Sequence, residues 1–486
     1  MTESHENEIT NPSPAGNASS LPPATANSHA RRKKIYTSFY ISMAFTLVLY
    51  GLNLWVGEKT YFGRLFKEMT YGSLQHHLSK GDTFENSQVV VLDISGIPMV
   101  PTMGFHDENI TDRKKLSQIV EDLANTTPHP ASIGLDVDFS PDSRGYADPG
   151  DEKILQGFLD LWRDTKVPIL VGVHRSVGLG PEKWLRDPRF INLASCVVVP
   201  TQEKGESTRS MPEWLDVNYS GTPFEGITEH CPVMGVALAR LTVKSESPWR
   251  KYLVESSWQK VMNSDHSQPG SIVSNEILVD YSPLDFMAPA PEIHLNDDNT
   301  IEVVKEDGTL IKPEDGGISK LVGDKIVLLG RTKNTTDLFT VPGRPEAPFA
   351  GVYLHAAAAY TLLNETLYML ATPLRLTADL ILSLAVFGFV CWIRLKNKRE
   401  DWDEFFERYL PVLLAVFIVV VLILCETWLL SYTRLMWDDY IIIAIVLLVH
   451  SPIEHATERL VGLVRGVVHP ARAVPVSATD THTEGE

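Results

Sequence analysis

The sequence predicts a mixed α/β domain, its sheet mostly parallel and flanked by helices, joined to four transmembrane α-helices. Three observations carry that prediction. Apolar runs of the length needed to cross a bilayer lie near both ends of the 486-residue chain. Between the first run and the second lies a stretch of about 300 residues in which short apolar segments alternate with amphipathic helical patterns. Basic clusters flank the runs on one consistent side.

Taken in order, residues 1–34 form a polar tail rich in Ser, Thr, Pro and Asn that ends in the basic cluster Arg31–Lys34. Such a composition cannot bury enough apolar surface to fold, and the tail is expected to be disordered. The first span, residues 35–56, carries no charge from Ile35 to Val56. It does not read as a cleaved signal peptide. A polar leader precedes it, its apolar core is too long, and no small-x-small site follows Val56. It reads as an uncleaved anchor with its N-terminus in the cytoplasm, which puts residues 57–372 outside the membrane.

The second span, 373–394, is interrupted by Arg375 and Asp379. The basic cluster Arg394–Arg399 leads into the cytoplasmic loop 395–408, then come a third span at 409–431 and a fourth at 436–454 that opens with Asp438 and Asp439. The remainder, 455–486, holds Arg459, Arg465 and Arg472 and returns to the cytoplasm. Under this topology Glu58, Asp379, Glu426, Asp438 and Asp439 all fall near the outer face.

A formal net charge of −18 argues against nucleic acid as a partner and suits an exported domain kept soluble by its own charge. Of the four cysteines, Cys391 and Cys425 lie in spans and read as packing residues. Cys196 and Cys231 lie in the outer domain, where a disulfide could persist, although spacing alone does not show that they approach. No C-x-x-C and no spaced Cys/His set suggests a metal, and no cofactor is expected.

Within the outer domain, Val89–Ile94, Ile133–Phe139, Pro168–Val173, Cys196–Val199, Ile277–Tyr281 and Ile326–Leu329 read as strands. Leu116, Ile119, Val120 and Leu123 keep helical spacing, as do Ile154, Phe158, Leu161 and Trp162 behind an acidic start at Asp151–Glu152. The alternation implies a parallel sheet covered on both faces. TIEVVKEDGTLIK reads as a hairpin turning at EDG.

The candidate chemistry sits at strand ends. Asp93 closes VVVLD, and Asp136 and Asp138 close IGLDVD. In open α/β sheets ligands bind beyond the carboxyl ends of the strands, and three carboxylates there could hold a cation or a hydroxylated ligand. Equally, they could cap turns or pair with a cation such as Arg113. GDKIVLLGRTKNTTD resembles a phosphate loop at first sight, but no glycine lies five residues before Gly330 and Arg331 stands where a Walker lysine would. Arg331, Thr332 and Asp337 therefore either line a cleft or tie the loop down. His355, in the glycine-led helix GVYLHAAAA, is either a ligand or a packing residue. No nucleophile elbow accompanies it.

These pieces together resemble the CHASE2 family of bacterial extracytoplasmic sensor domains. The resemblance rests on VVVLDIS at Asp93, the Arg-led helix from Arg113, IGLDVDF with Asp136 and Phe139, and the acidic helix entry at Asp151. Its most specific part is DKIVLLG, then Asp337, Pro342 and GVYLHA, followed by membrane spans. The segment after the first strand, often Trp/Pro-rich in the family, is here only GIPMVPTMG.

The resemblance implies a sensor in the bacterial plasma membrane. Its expected contacts are the lipid bilayer, an unknown small-molecule or environmental signal, and in some assemblies a second copy of itself. Relatives often continue into a kinase or cyclase. This sequence carries no Gly-rich kinase loop, HRD, DFG or GGDEF motif, so a separate effector protein is expected. Ligand-site candidates are Asp93, Asp136, Asp138, Arg331, Asp337 and His355. Arg375, Asp379, Glu426 and Arg434 are candidates for coupling the domain to its spans, since ionisable groups near hydrocarbon need partners. Two rivals stand beside the sensor: a membrane scaffold subunit, and a metal-assisted hydrolase using Asp93, Asp136 and Asp138.

Overall fold

The computed structural model describes residues 86–101, 109–139, 150–173, 189–197, 210–218, 228–242, 270–273, 276–311, 316–364 and 372–396, apart from 191, 213, 297, 334 and 336. It also describes 71–72, 83, 368–369 and separate positions within 32–51 and 409–436.

The central sheet has eight strands. In chain order these are β1 (Val89–Asp93), β2 (Ser132–Asp138), β3 (Ile169–Val173), β4 (Ala194–Cys196), β5 (Glu292–Leu295), β6 (Ile301–Val304), β7 (Leu310–Ile311) and β8 (Ile326–Gly330). Across the sheet they run β7-β6-β5-β1-β8-β2-β3-β4. From β5 to β4 every pairing is parallel, and the β6–β7 hairpin adds an antiparallel edge. Every residue of β1, β3 and β8 is buried, as expected of a parallel sheet with both faces covered.

Seven described helices accompany the sheet: α1 (Arg113–Ala124), α2 (Asp151–Thr165), α3 (Met234–Thr242), α4 (Leu284–Met287), α5 (Gly317–Val322), α6 (Gly351–Leu363) and α7 (Thr372–Lys396). α1 begins where Asp112 Oδ1 accepts from the amides of Lys114 (3.0 Å) and Lys115 (3.2 Å). It buries the predicted stripe Leu116, Ile119, Val120 and Leu123. α2 buries Leu155 and Phe158, with Ile154, Leu161 and Trp162 partly covered beside them.

α6 is buried along nearly its whole circumference, and its run of alanines lets it approach the sheet and α3 closely. The crossing with α3 is so tight that a Cβ at Gly235 would lie 2.0 Å from the His355 carbonyl oxygen.

Three strand expectations change. Cys196 ends β4 instead of starting a strand that runs to Val199. Ile277 belongs to a separate ribbon in which Glu276–Leu278 pairs antiparallel with Ser210–Pro212. β5, beside β1, carried no recognisable pattern because its four residues include Glu292 and His294.

Contacts divide the chain into two compact units. One holds Met1–Leu49, Ile381–Ala415 and Ile445–Glu486, and the other holds Tyr50–Leu380 and Val416–Ala444. The α/β domain belongs to the second. Among the described residues one helix is long and apolar enough to cross a membrane, Leu374–Ile393 within α7, which matches the second predicted span. The first, third and fourth predicted spans fall largely outside the described residues. Met436, predicted to open the fourth span, pairs with Met369 in a short parallel ribbon.

Candidate ligand site at the carboxyl edge of the sheet

β1, β8 and β2 end side by side, with Asp93 opposite Gly330 and Gly330 opposite Asp136. Residues in register on parallel strands share a face, so Asp93 and Asp136 flank Gly330 on the side that α6 covers. A Cβ at Gly330 would sit 2.6 Å from the Cβ of Val352, and the missing side chain is what lets the first turn of α6 settle onto the strand ends. β8, late in the chain, is inserted between β1 and β2, and β5 lies on the other side of β1. The chain thus leaves β1 in both directions, which is the arrangement that opens a crevice at the carboxyl ends.

Asp93 is fully buried and staples two loops together. Its Oδ1 accepts from the Ser95 amide (2.9 Å), the Ser95 hydroxyl (2.6 Å) and the Thr332 amide (3.0 Å). Ser95 Oγ accepts in turn from the Lys333 amide at 3.1 Å. Lys333 Nζ stands 3.7 Å from Asp93 Oδ2 and donates to Glu292 Oε2 at 2.5 Å. That bond with Glu292, aided by Asp93, raises the affinity of the Lys333 ammonium for its proton. His294 Nε2 lies 3.4 Å from the other oxygen of Glu292.

Arg331 spans the same loop. It donates to the Ile97 carbonyl at 2.7 Å and reaches Thr111 Oγ1 at 3.4 Å. Its fork is aimed at loop atoms, and of the two roles open to it from sequence the loop-tying one fits this geometry. Tyr353 of α6 completes the cluster. Its hydroxyl accepts from the Ala290 amide at 2.8 Å and bonds to Thr332.

Asp136 behaves differently. Its side chain is half-buried near the end of β2. Burial, then the charge of Asp337, then that of Asp138, push its carboxyl up to about 8. It is therefore a neutral acid at pH 7 and can donate a hydrogen bond. Asp337 lies across the first turn of α6: its carbonyl accepts from the Gly351 amide at 3.2 Å, and a Cβ at Gly351 would meet its Oδ2 at 2.2 Å. Asp138 is exposed at the strand end, and its carbonyl accepts from Arg113 at 2.5 Å.

The three strand-end aspartates therefore separate. Asp93 serves the loops, while Asp136 and Asp138 group with Asp337. Two strand spacings, about 10 Å, divide Asp93 from Asp136. Among the described residues no group of three or more His, Cys, Asp or Glu is placed to hold a metal ion.

His355 lies one turn into α6 and is fully buried, with Nε2 3.4 Å from the Val197 carbonyl and no partner for Nδ1. Burial pushes its pKa down to about 4, so it is neutral. It packs at the crossing with α3. Cys196 and Cys231 are both buried, on neighbouring segments, but no disulfide joins them. The bridge between these segments pairs Cys196 with Val233, so Cys231 falls two residues back along its strand. Arg375 is buried near the start of α7. The Asp379 side chain, Glu426 and Arg434 lie outside the described residues, and so does their predicted pairing.

Sequence reasoning missed Glu292, Ser95, Lys333 and Tyr353. Lys333 and Tyr353 stood inside motifs already singled out, and a polar residue two positions past a strand-end aspartate was the available signal for Ser95.

The structure is an α/β domain with polar groups gathered at the carboxyl edge of its sheet, followed by a helix long and apolar enough to cross a membrane. The particular family follows from comparison: the family model described as the CHASE2 domain matches residues 44–393, and the chain belongs to that family. CHASE2 domains are extracellular sensory domains, which supports a sensory, extracytoplasmic role for this one. Comparison with curated proteins and with solved structures finds no match.

Proposed function

We propose that the protein is a bacterial membrane-anchored sensor whose outer domain detects a signal at the carboxyl edge of its sheet and relays it to a separate cytoplasmic or membrane partner. In this reading the chain crosses the bilayer four times, keeps both termini in the cytoplasm and is not an enzyme. The observation that carries the relay is the seating of α6. Its first turn rests on Gly330 between Asp93 and Asp136, and its last residue, Leu363, lies a few residues before α7 begins at Thr372. A change at the strand ends that favours one position of α6 is thereby handed to the membrane-length helix. A signal can act only through a difference in affinity between two such positions.

Asp136, Asp138 and Asp337 are the groups proposed to meet the signal. Asp93 and Arg331 position the loops beside them, and His355 packs α6.

The full-length chain in detergent is the material for the test, with a panel of small molecules, ions and buffers of different pH. A ligand at about 100 times its Kd contributes about 2.7 kcal/mol to the native state. The expected result is a condition that moves Tm by several degrees in the wild type and less than half as far in Asp136→Asn/Asp337→Asn. Equal shifts in both proteins under every condition, or turnover of the bound compound, count against the reading.

A further inference from the structure

The Leu338–Ala350 hairpin lies between the aspartates of the carboxyl edge and the segment that follows the first apolar run. Its strands, Leu338–Val341 and Arg344–Ala350, pair antiparallel with Leu338 opposite Ala350 and Phe339 opposite Phe349. The turn is made at Gly343, whose φ of 78° favours glycine. At the tip, Gly343 packs against Gly72, where a Cβ would lie 3.0 Å from the Gly343 Cα. Beside Gly72, Tyr71 is buried and its hydroxyl donates to the Val279 carbonyl, which fixes this segment to the domain.

The hairpin is also held along its length. Arg344 pairs with Asp285 of α4 at 2.6 Å and lies over the Phe349 ring, which meets Tyr353 of α6 edge-on. At the foot, Asp337 immediately precedes the first strand, and Ala350 passes without a loop into Gly351 of α6.

We propose that this hairpin is a proton-operated latch: protonated Asp136 lets Asp337 and Asp138 stay close and holds the hairpin foot and α6 on the sheet, and loss of that proton releases them. The proposal rests on the sensor reading and names a signal for the same site, the proton activity of the outer compartment. The charges acting on Asp136 are Asp337, from the hairpin foot, and Asp138, from its own strand, and both are acidic. Gly330 of β8 lies beside Asp136, with Val352 of α6 seated on that glycine, and Met234 and Leu238 of α3 lie against Gly134, two residues back on the same face of β2.

Ionising Asp136 therefore adds a negative charge beside two groups that already disfavour it. Like charges so close favour separation, and the movable party is Asp337, which is exposed and sits at the end of a hairpin. Movement at the foot then reaches α6 directly and Gly72 through the tip.

Hydrogen exchange of peptides covering 338–350, in the full-length chain reconstituted in nanodiscs, tests the latch. After correction for the intrinsic pH dependence of exchange, protection of the hairpin is expected to fall at least tenfold between about pH 6 and pH 9. Asp136→Asn should stay protected at both values, and Asp337→Asn should move the midpoint to lower pH because one repelling charge is gone. Unchanged wild-type protection, or a transition that persists in Asp136→Asn, overturns the latch. A melting curve on each variant establishes that it folds, and the Asp337→Asn midpoint decides the matter if Asp136→Asn does not. Failure here alongside a small-molecule Tm shift at the same aspartates leaves the sensor reading standing. A pH transition with no domain outside the membrane keeps the latch and removes the sensor.

Discussion

At the scale of single residues, burial moves two titratable groups in opposite directions, and pH separates their contributions. Asp136 ionises near 3.8 when unfolded and about 8 when folded. Between those values the native state holds a proton that the unfolded chain has lost, so stability falls as pH rises through that window and levels off above about 8. The limiting slope is about 1.4 kcal/mol per pH unit, less any relief from the solvent that still reaches the carboxyl. His355 is lowered from 6.5 to about 4. Its contribution is complete above 6.5 and is lost as pH falls toward 4.

Between about pH 4 and 6.5 the two slopes oppose each other. Asp136→Asn should therefore remove the fall from 6.5 to 8 and uncover the His355 rise below 6.5, whereas His355→Leu should leave an unopposed fall across the whole window from about 4 to 8. Chemical denaturation across a pH series reads both. A third residue has a purely steric role. Alanine at Gly235 forces its Cβ against the backbone of α6 and is expected to cost about 1–3 kcal/mol, seen as a lower denaturation midpoint.

At the scale of elements, a buried cation joins the start of α1, the end of β2 and the start of α2. Arg113 lies 3.5 Å from Asp151, over the ring of Phe139 at 3.9 Å, and on the Asp138 carbonyl. Removing one member strands a buried charge, so Asp151→Ala should lose about 3–5 kcal/mol. The double variant Arg113→Met/Asp151→Leu should recover most of it, because a well-packed apolar pair replaces a desolvated ionic one.

The same elements show what could be read from the sequence. β3 and β8 are continuous apolar runs, β1 is one up to its closing Asp93 and β2 from Ile133 to Leu135, and α1 carries a clean stripe, so local pattern and buried location agree. β5 and the Leu338–Ala350 hairpin escaped because their stability is nonlocal. Glu292 is paired with Lys333, 41 residues on, and the hairpin is held by Arg344 against Asp285. The strand-end aspartates were legible as a set, but their division was not, because it depends on which loops and helix meet at Gly330. That Arg113 pairs with Asp151 was likewise invisible without the packing of α1 on α2.

At the scale of the whole molecule, α7 is the described helix long and apolar enough to cross a membrane. It leaves Ile381, Leu384, Phe389 and Trp392 at least half exposed, while Ser383 is buried. Each large apolar side chain left in water forfeits about 1.5–3 kcal/mol, whereas hydrocarbon accepts the same surface at no such cost. Trp392 stacks on Phe389 and lies under the Lys396 ammonium at 4.9 Å, an aromatic and basic finish suited to a membrane–water interface. The account predicts that the chain partitions with membranes and stays there in high salt.

The central claim is that the α/β domain stands outside the membrane and α7 crosses it. Two single-cysteine positions in an otherwise cysteine-free chain test it together: Glu306→Cys, in the exposed β6–β7 turn, and Lys398→Cys, beyond the end of α7. With a membrane-impermeant maleimide on intact spheroplasts, labelling is expected at 306 at once and at 398 only after lysis. Labelling at 398 in intact spheroplasts, with 306 protected until lysis, would contradict it.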